Sequence, residues 1–206
     1  MQYIKPPHPF QKSFCVQLDN VFSVDECQVM IAASENKGYE KALGDVGDGV
    51  QELDEDYHNS YRYILDSDHL CKEIFRRVRH CLPTTMQSRQ LLGLNERLRF
   101  LRYDPGQFFR PHFDGAYTTP DVKAKSKLTI MLYLNEEFQG GKTAFLPLDD
   151  VKGNKVKFTP KTGSVLIFSH HIFHESEEVT KGRMYMIHTD VMYRFHSNLC
   201  ELPEWI

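Results

Sequence analysis

From Leu94 onward the apolar positions fall in short runs, among them Leu128–Leu134, Val165–Phe168 and Met184–Ile187, separated by clusters rich in Gly, Pro, Asn and Asp. Runs this short, bounded by turn residues, predict strands, and their spacing suits an antiparallel β-sandwich or jelly roll. Upstream the period changes. Leu70, Ile74 and Val78 recur at helical spacing, which predicts a helix from about Asp68 to Cys81, ended by Pro83. Ser23 and Glu26 form an S-x-x-E capping box ahead of Val29, Met30 and Ala33, which are spaced for one face of an earlier helix. Phe14–Leu18 and Tyr61–Leu65 read as strands that extend the sheet. Periodicity alone thus supports a mostly β fold with supporting α-helices. The expected organisation is one domain over 1–206, with helical support and extra strands in 1–93 and a core carrying the site in 94–195.

One stretch lacks any period. Gly38 to Asp56 is acidic and rich in glycine (Gly44, Gly47, Gly49), which predicts a loop, either a solvated surface segment or a lid over a site. The composition narrows the class of protein. A net charge of −3 with mixed signs gives no field suited to nucleic acid or an anionic membrane. No apolar run approaches the roughly 20 residues that span a bilayer. Met1–Pro9 has no continuous apolar core of the kind a secretory signal carries. Five cysteines without a CxxC pair read as buried free thiols, which favours a reducing compartment. The expectation is a monomeric cytoplasmic protein (the nucleus is equally reducing), with no nucleic-acid or membrane partner.

The chemistry centres on His112-Phe113-Asp114 and a distant His174. Side chains at i and i+2 of an extended segment share a side, so His112 and Asp114 reach one metal while Phe113 turns away. Two imidazoles and one carboxylate on one face of an octahedral ion form the facial triad suited to non-haem Fe(II), with the opposite positions open. His170, His171 and His174 compete for the third place. His170 and His174 would suit zinc on a helix, but the context after Gly163 is β-like. Arg183 offers a permanently charged planar fork for a carboxylate co-substrate. Gly182 puts its competitor Lys181 in the preceding turn, so Arg183 is expected to begin the buried strand and point into the barrel.

The motifs occur in a telling order. Asn95 to Arg102 leads through Tyr103-Asp104-Pro105-Gly106 to the His-x-Asp pair; Leu128–Asn135 and Gly140–Pro147 follow, then Thr162–Phe168, His174-Glu175 and Gly182–Ile187. This series, from about Asn95 to Arg194, resembles the 2-oxoglutarate/Fe(II)-dependent dioxygenases, and within them the prolyl 4-hydroxylase-like branch. The resemblance implies a double-stranded β-helix (cupin-like jelly roll), with His112, Asp114 and His174 holding Fe(II) and Arg183 and Tyr133 fixing the distal carboxylate of 2-oxoglutarate. Tyr103 and Thr143 are further candidates for the pocket wall. O₂ is the second co-substrate and ascorbate an accessory reductant. Asn59, Arg62, Asn95 and Arg97 occupy positions reminiscent of substrate-contacting strands. The implied reaction is hydroxylation of a C–H bond, of a prolyl residue in a peptide or protein, or of a small molecule. The competing readings are a nucleic-acid or protein demethylase of the same superfamily, a jelly-roll module that binds 2-oxoglutarate or iron without turnover, and a cupin-type zinc hydrolase. The position of Arg183 and the lack of a basic patch count against a nucleic-acid substrate.

Overall fold

The computed structural model describes residues 1–45, 51–52, 54–149 and 153–195. Its labelled strands are β1 (Cys15–Leu18), β2 (Tyr61–Asp66), β3 (Arg89–Leu94), β4 (Arg97–Tyr103), β5 (Phe109–His112), β6 (Ala124–Tyr133), β7 (Thr143–Phe145), β8 (Val156–Phe158), β9 (Val165–Ser169), β10 (His174–Ser176) and β11 (Met184–Phe195). The helices are α1 (Val24–Lys37) and α2 (Asp68–Val78). A ten-stranded antiparallel sheet runs β1-β9-β6-β11-β4-β2, with the two-residue strands Gln2–Tyr3 and Glu40–Lys41 at its ends. β3 also pairs with β11, and Thr85–Met86 with β3. A four-stranded sheet, β5-β10-β7-β8, faces it. Two antiparallel sheets packed in this way are the jelly roll expected from the strand spacing.

The period of two divides the large sheet into two chemistries. On β6, Leu128, Ile130 and Leu132 join a core with Cys27 of α1 and Ile74 and Val78 of α2. The alternate residues Met131 and Tyr133 turn to the other side and pack with Phe145 and Phe158 of the small sheet. The helices therefore cover one face of the large sheet, and the barrel interior lies on the other.

α1 starts as its capping box demands. Ser23 Oγ accepts from the Glu26 amide at 3.2 Å, and the Glu26 carboxylate accepts from the Ser23 amide at 2.8 Å. The buried face of α1 is set by Cys27 and Ser34, with Met30 and Ile31 packed alongside. Val29 and Ala33 are exposed, so the face expected from Val29, Met30 and Ala33 is turned by about one position. α2 ends at Val78, with a 3₁₀ turn over Arg79–Cys81. The stretch read as a plain loop contains backbone pairing: Glu40–Lys41 on β2, and Gly44–Asp45 on Gln51–Glu52. Gly47 and Gly49 lie outside the described residues, as do Cys200 and the C-terminal segment. Cys15, Cys27, Cys71 and Cys81 are free and buried. No helix among the described residues is long and apolar enough to cross a membrane.

Candidate active site

His112 closes β5 and stands directly opposite His174, which opens the adjacent antiparallel strand β10. Asp114 follows two residues beyond the end of β5, its amide donating to the His170 carbonyl. One ligand atom from each of the three lies within 4.8 Å of the others. Nε2 of His112 and of His174 are each 3.7 Å from an Asp114 oxygen. Backbone carbonyls fix both rings: His112 Nδ1–H donates to Arg110 O at 2.7 Å, and His174 Nδ1–H to Ile172 O at 2.9 Å. Each Nε2 therefore carries its lone pair toward the carboxylate. His174 Nε2 is fully buried and has no hydrogen-bond partner.

Electrostatics favour the protonation state that a divalent cation requires. Burial, reinforced by His174, pushes His112 down to about 3, and burial also lowers His174. Burial opposes charge on Asp114, but His174, His188 and His112 outweigh it and hold the carboxyl well below its usual range. Two neutral imidazoles and one carboxylate, with an orphaned nitrogen aimed between them, fit Fe(II).

Further residues brace this cluster. Thr129 Oγ1 donates to Asp114 Oδ2 and also bonds His170 Nδ1. His170 Nε2 continues to Ser126 at 2.9 Å, so His170 supports the cluster from behind and is not a ligand. Phe109 stacks on His112 at 3.6 Å and, on its other face, on His58 at 3.8 Å. His188 Nε2 lies 3.8 Å from Asp114. A cavity of about 440 Å³ opens over the triad, lined by His112 and Asp114 with Tyr57, His58, Arg62, Arg99 and His188. Ala42 and Leu43, from the acidic stretch, also border it.

The other expected residues divide. Tyr133, Tyr103 and Thr143 meet deep inside the barrel. The Tyr133 hydroxyl bonds Thr143 Oγ1 at 2.5 Å, and the Tyr103 hydroxyl is buried beside Ser60 and Ser176 without a well-formed hydrogen bond. Arg62 lines the cavity with Glu40 on its Nε. Asn59 instead staples the turn before β5, bonding the Phe108 amide and the Gly106 carbonyl. Asn95 is bonded to Asp190 and to the Arg97 amide, and Arg97 forms an exposed pair with Asp66. Neither borders the cavity.

Arg183 requires a correction. Its side chain is 47% exposed and lies on the helix side of the large sheet, with Nε on Asp104 at 2.5 Å, Nη1 on the Tyr185 hydroxyl at 3.2 Å and Glu35 of α1 at 3.8 Å. The cause is register. Gly182, at φ +77°, takes the turn, where a Cβ would meet Glu137 O at 2.8 Å. β11 then begins at Met184, and Met184 and Met186 carry the inward parity. The inward residues His188 and Arg99 were missed, although alternation marks them as polar positions that continue the apolar rows Met184, Met186 and Leu101, Tyr103.

Residues 98–192 match the family model described as the 2OG-Fe(II) oxygenase superfamily. A putative prolyl 4-hydroxylase of Acanthamoeba polyphaga mimivirus is 25% identical over 81% of this chain and 64% of its own length. A probable prolyl 4-hydroxylase of Arabidopsis thaliana is 26% identical over 70% of this chain and 48% of its own length. The chain thus spans about half to two thirds of the curated relatives it matches. Among solved structures, the viral collagen prolyl hydroxylase of Paramecium Bursaria Chlorella virus-1, in complex with 2OG, superposes with a TM-score of 0.62 at 21% identity, covering 86% of this chain and 95% of that one. With the triad and the jelly roll already in place, residues 98–192 match the model of the 2OG-Fe(II) oxygenase superfamily, and the chain is similar to prolyl 4-hydroxylase-like proteins.

Proposed function

We propose that this chain is an Fe(II)- and 2-oxoglutarate-dependent dioxygenase that hydroxylates a C–H bond, with a prolyl residue of a peptide or protein as substrate class. The observation that carries the reading is the convergence of His112, Asp114 and His174, the first two lining an open cavity and the third buried beside them, with both Nδ1 hydrogens tied to backbone. Iron bound there would couple reduction of O₂ to oxidative decarboxylation of 2-oxoglutarate, one oxygen atom passing to succinate and the other to substrate, with release of CO₂. The protein supplies orientation and dryness. Thr129 and His188 hold the Asp114 carboxylate, and Phe109 holds the plane of His112. The apolar wall of Met131, Phe145 and Phe168 keeps water from behind the triad. The similarity to prolyl 4-hydroxylases supports the substrate class.

The test measures succinate release together with intact mass of proline-containing peptides. The expected result is a gain of one oxygen atom that requires iron and 2-oxoglutarate and is lost in His112→Ala and Asp114→Ala. Unchanged Fe(II) binding in both variants would remove the metal assignment. Ascorbate, as accessory reductant, is expected to prolong turnover without altering the product.

A further inference from the structure

His170, which is not a ligand, is held at both ring nitrogens by residues of one strand. Thr129 and Ser126 of β6 bond its Nδ1 and Nε2, each at 2.9 Å. In a regular strand, positions three apart point to opposite faces. A bulge makes the grip possible. The register of β6 against β11 slips between Ser126 and Leu128, which leaves Lys127 as an extra residue. Ser126 thereby turns to the barrel side with Thr129, while Leu128 stays in the helix-side core. The Lys127 carbonyl accepts from the His170 amide at 3.3 Å.

Donors and acceptors fix the direction of a hydrogen-bond chain. The Tyr117 amide can only donate, and it donates to Ser126 Oγ at 2.8 Å. At the other end the Asp114 carboxylate only accepts, and it takes the one hydrogen of Thr129. Thr129 Oγ1 must then accept from Nδ1–H of His170. Burial lowers His170 and favours the neutral ring, whose Nε2 accepts from the Ser126 hydroxyl. Asp190 Oδ1, at 3.9 Å from the same nitrogen, is beyond hydrogen-bond range. Ser126, Thr129 and His170 are all buried, so turning any one of them leaves a buried polar group unbonded.

The two ends of the chain differ in kind. One is a residue of the triad. The other belongs to a lip of the cavity formed by Gly115, Ala116, Tyr117 and Thr118, where Tyr117 is 42% exposed. The lip is pinned to the start of β6 by the Ser126 amide, which donates to the Tyr117 carbonyl, and by a bridge between Thr118 and Lys125. A molecule entering the cavity beside the triad passes this lip. We propose that His170 is a positioning residue that couples the Tyr117 lip to the Asp114 carboxylate, so that a substrate pressing on the lip alters how Asp114 holds the metal. The inference rests on the metal assignment above. The backbone also runs from Asp114 to Tyr117, and the coupling assigned here is the part that passes through the His170 ring.

The test uses the full chain with Co(II), whose visible absorption reports ligand geometry, and compares Ser126→Ala, His170→Asn and the double variant. Asparagine keeps an amide donor near the Nδ1 position but is too short to reach Ser126. Each single variant is expected to weaken Co(II) binding by about three- to tenfold and to shift the Co(II) bands. The double variant is expected to lose no more than either single one, because both cut the same chain. Linkage requires the reverse effect as well: Co(II) should slow hydrogen exchange of the Tyr117 amide in wild type and not in His170→Asn. Losses that add in the double variant would overturn the proposal, since they mark independent structural roles. So would wild-type Co(II) affinity and bands in Ser126→Ala, or full metal protection of the Tyr117 amide in His170→Asn. Should His170→Asn fold poorly, the near-isosteric Ser126→Ala decides alone through its Co(II) affinity and bands. A wild-type chain that binds no Co(II) would instead overturn the metal assignment.

Discussion

Thr129 gives the triad its aim. Its hydroxyl reaches both Asp114 and His170 from an inward position on β6, and it is fully buried. Removing it without changing its shape isolates the contribution of that bond. Thr129→Val is expected to lower metal affinity by about 10–100-fold, the usual cost of losing a partner behind a ligand, while far-UV circular dichroism stays unchanged. An equilibrium metal titration measures it. His58 shows how the same dry environment creates acid sensitivity. Burial, then Arg62 and His188, hold it down at about 4. Unfolded, it titrates near about 6.5. Between these values the unfolded chain binds the extra proton, so the contribution to stability is complete above that range and is lost as pH falls through it. His58→Phe keeps the stack on Phe109 and removes the titration. Denaturant unfolding at pH 7 and pH 4.5 should show a loss on acidification smaller than wild type by roughly 2–3 kcal/mol.

At the scale of the element, β11 decides which side chains meet the site. Its parity is fixed by where the strand starts, and a one-residue change in that start exchanges the two faces. The sequence supplied the strand itself through Met184–Ile187, and it supplied His112 and Asp114 through their i, i+2 pattern, whereas His174 is singled out from His170 and His171 by the resemblance to the dioxygenases. It did not supply the phase, because the turn at Gly182 allows the strand to begin either at Arg183 or one residue later, and the packing of Tyr185 and Arg183 against Glu35 of α1 settles it. The same limit explains α1. Its cap was legible from Ser23 and Glu26, whereas Val29 and Ala33 were apolar enough to suggest a face that Cys27 and Ser34 occupy. Arg183→Ala is therefore expected to cost about 1 kcal/mol or less in unfolding free energy, as for a half-exposed ion pair. Gly163 sets the approach of α1 to β9. It sits at φ +72°, its carbonyl accepts from the Val21 and Phe22 amides, and a Cβ there would lie 1.9 Å from Phe22 O. Gly163→Ala is expected to destabilise the protein by about 1–3 kcal/mol or more, measured by thermal unfolding, with metal affinity little changed in the folded fraction.

Across the whole molecule, the two faces of the large sheet divide the work. The helix side carries the larger apolar core and the Arg102–Glu35–Arg183 charge cluster, and the barrel side carries Arg99, Leu101 and His188, which line the cavity beside the triad. The pairing of His112 with His174 has a topological consequence. These residues border neighbouring strands, yet β6, β7, β8 and β9 all lie between them in the chain. A divalent ion bridging them would act as a removable cross-link, closing a long loop whose ends otherwise depend on a few strand hydrogen bonds, and the entropy of that loop grows only slowly with its length. By mass action the gain is about 2.7 kcal/mol at a free metal concentration of 100 Kd, and a chelator should release it. The small sheet is where that loosening would begin, so amide exchange after chelation should accelerate in β5 and β10 before it does in β6 and β11.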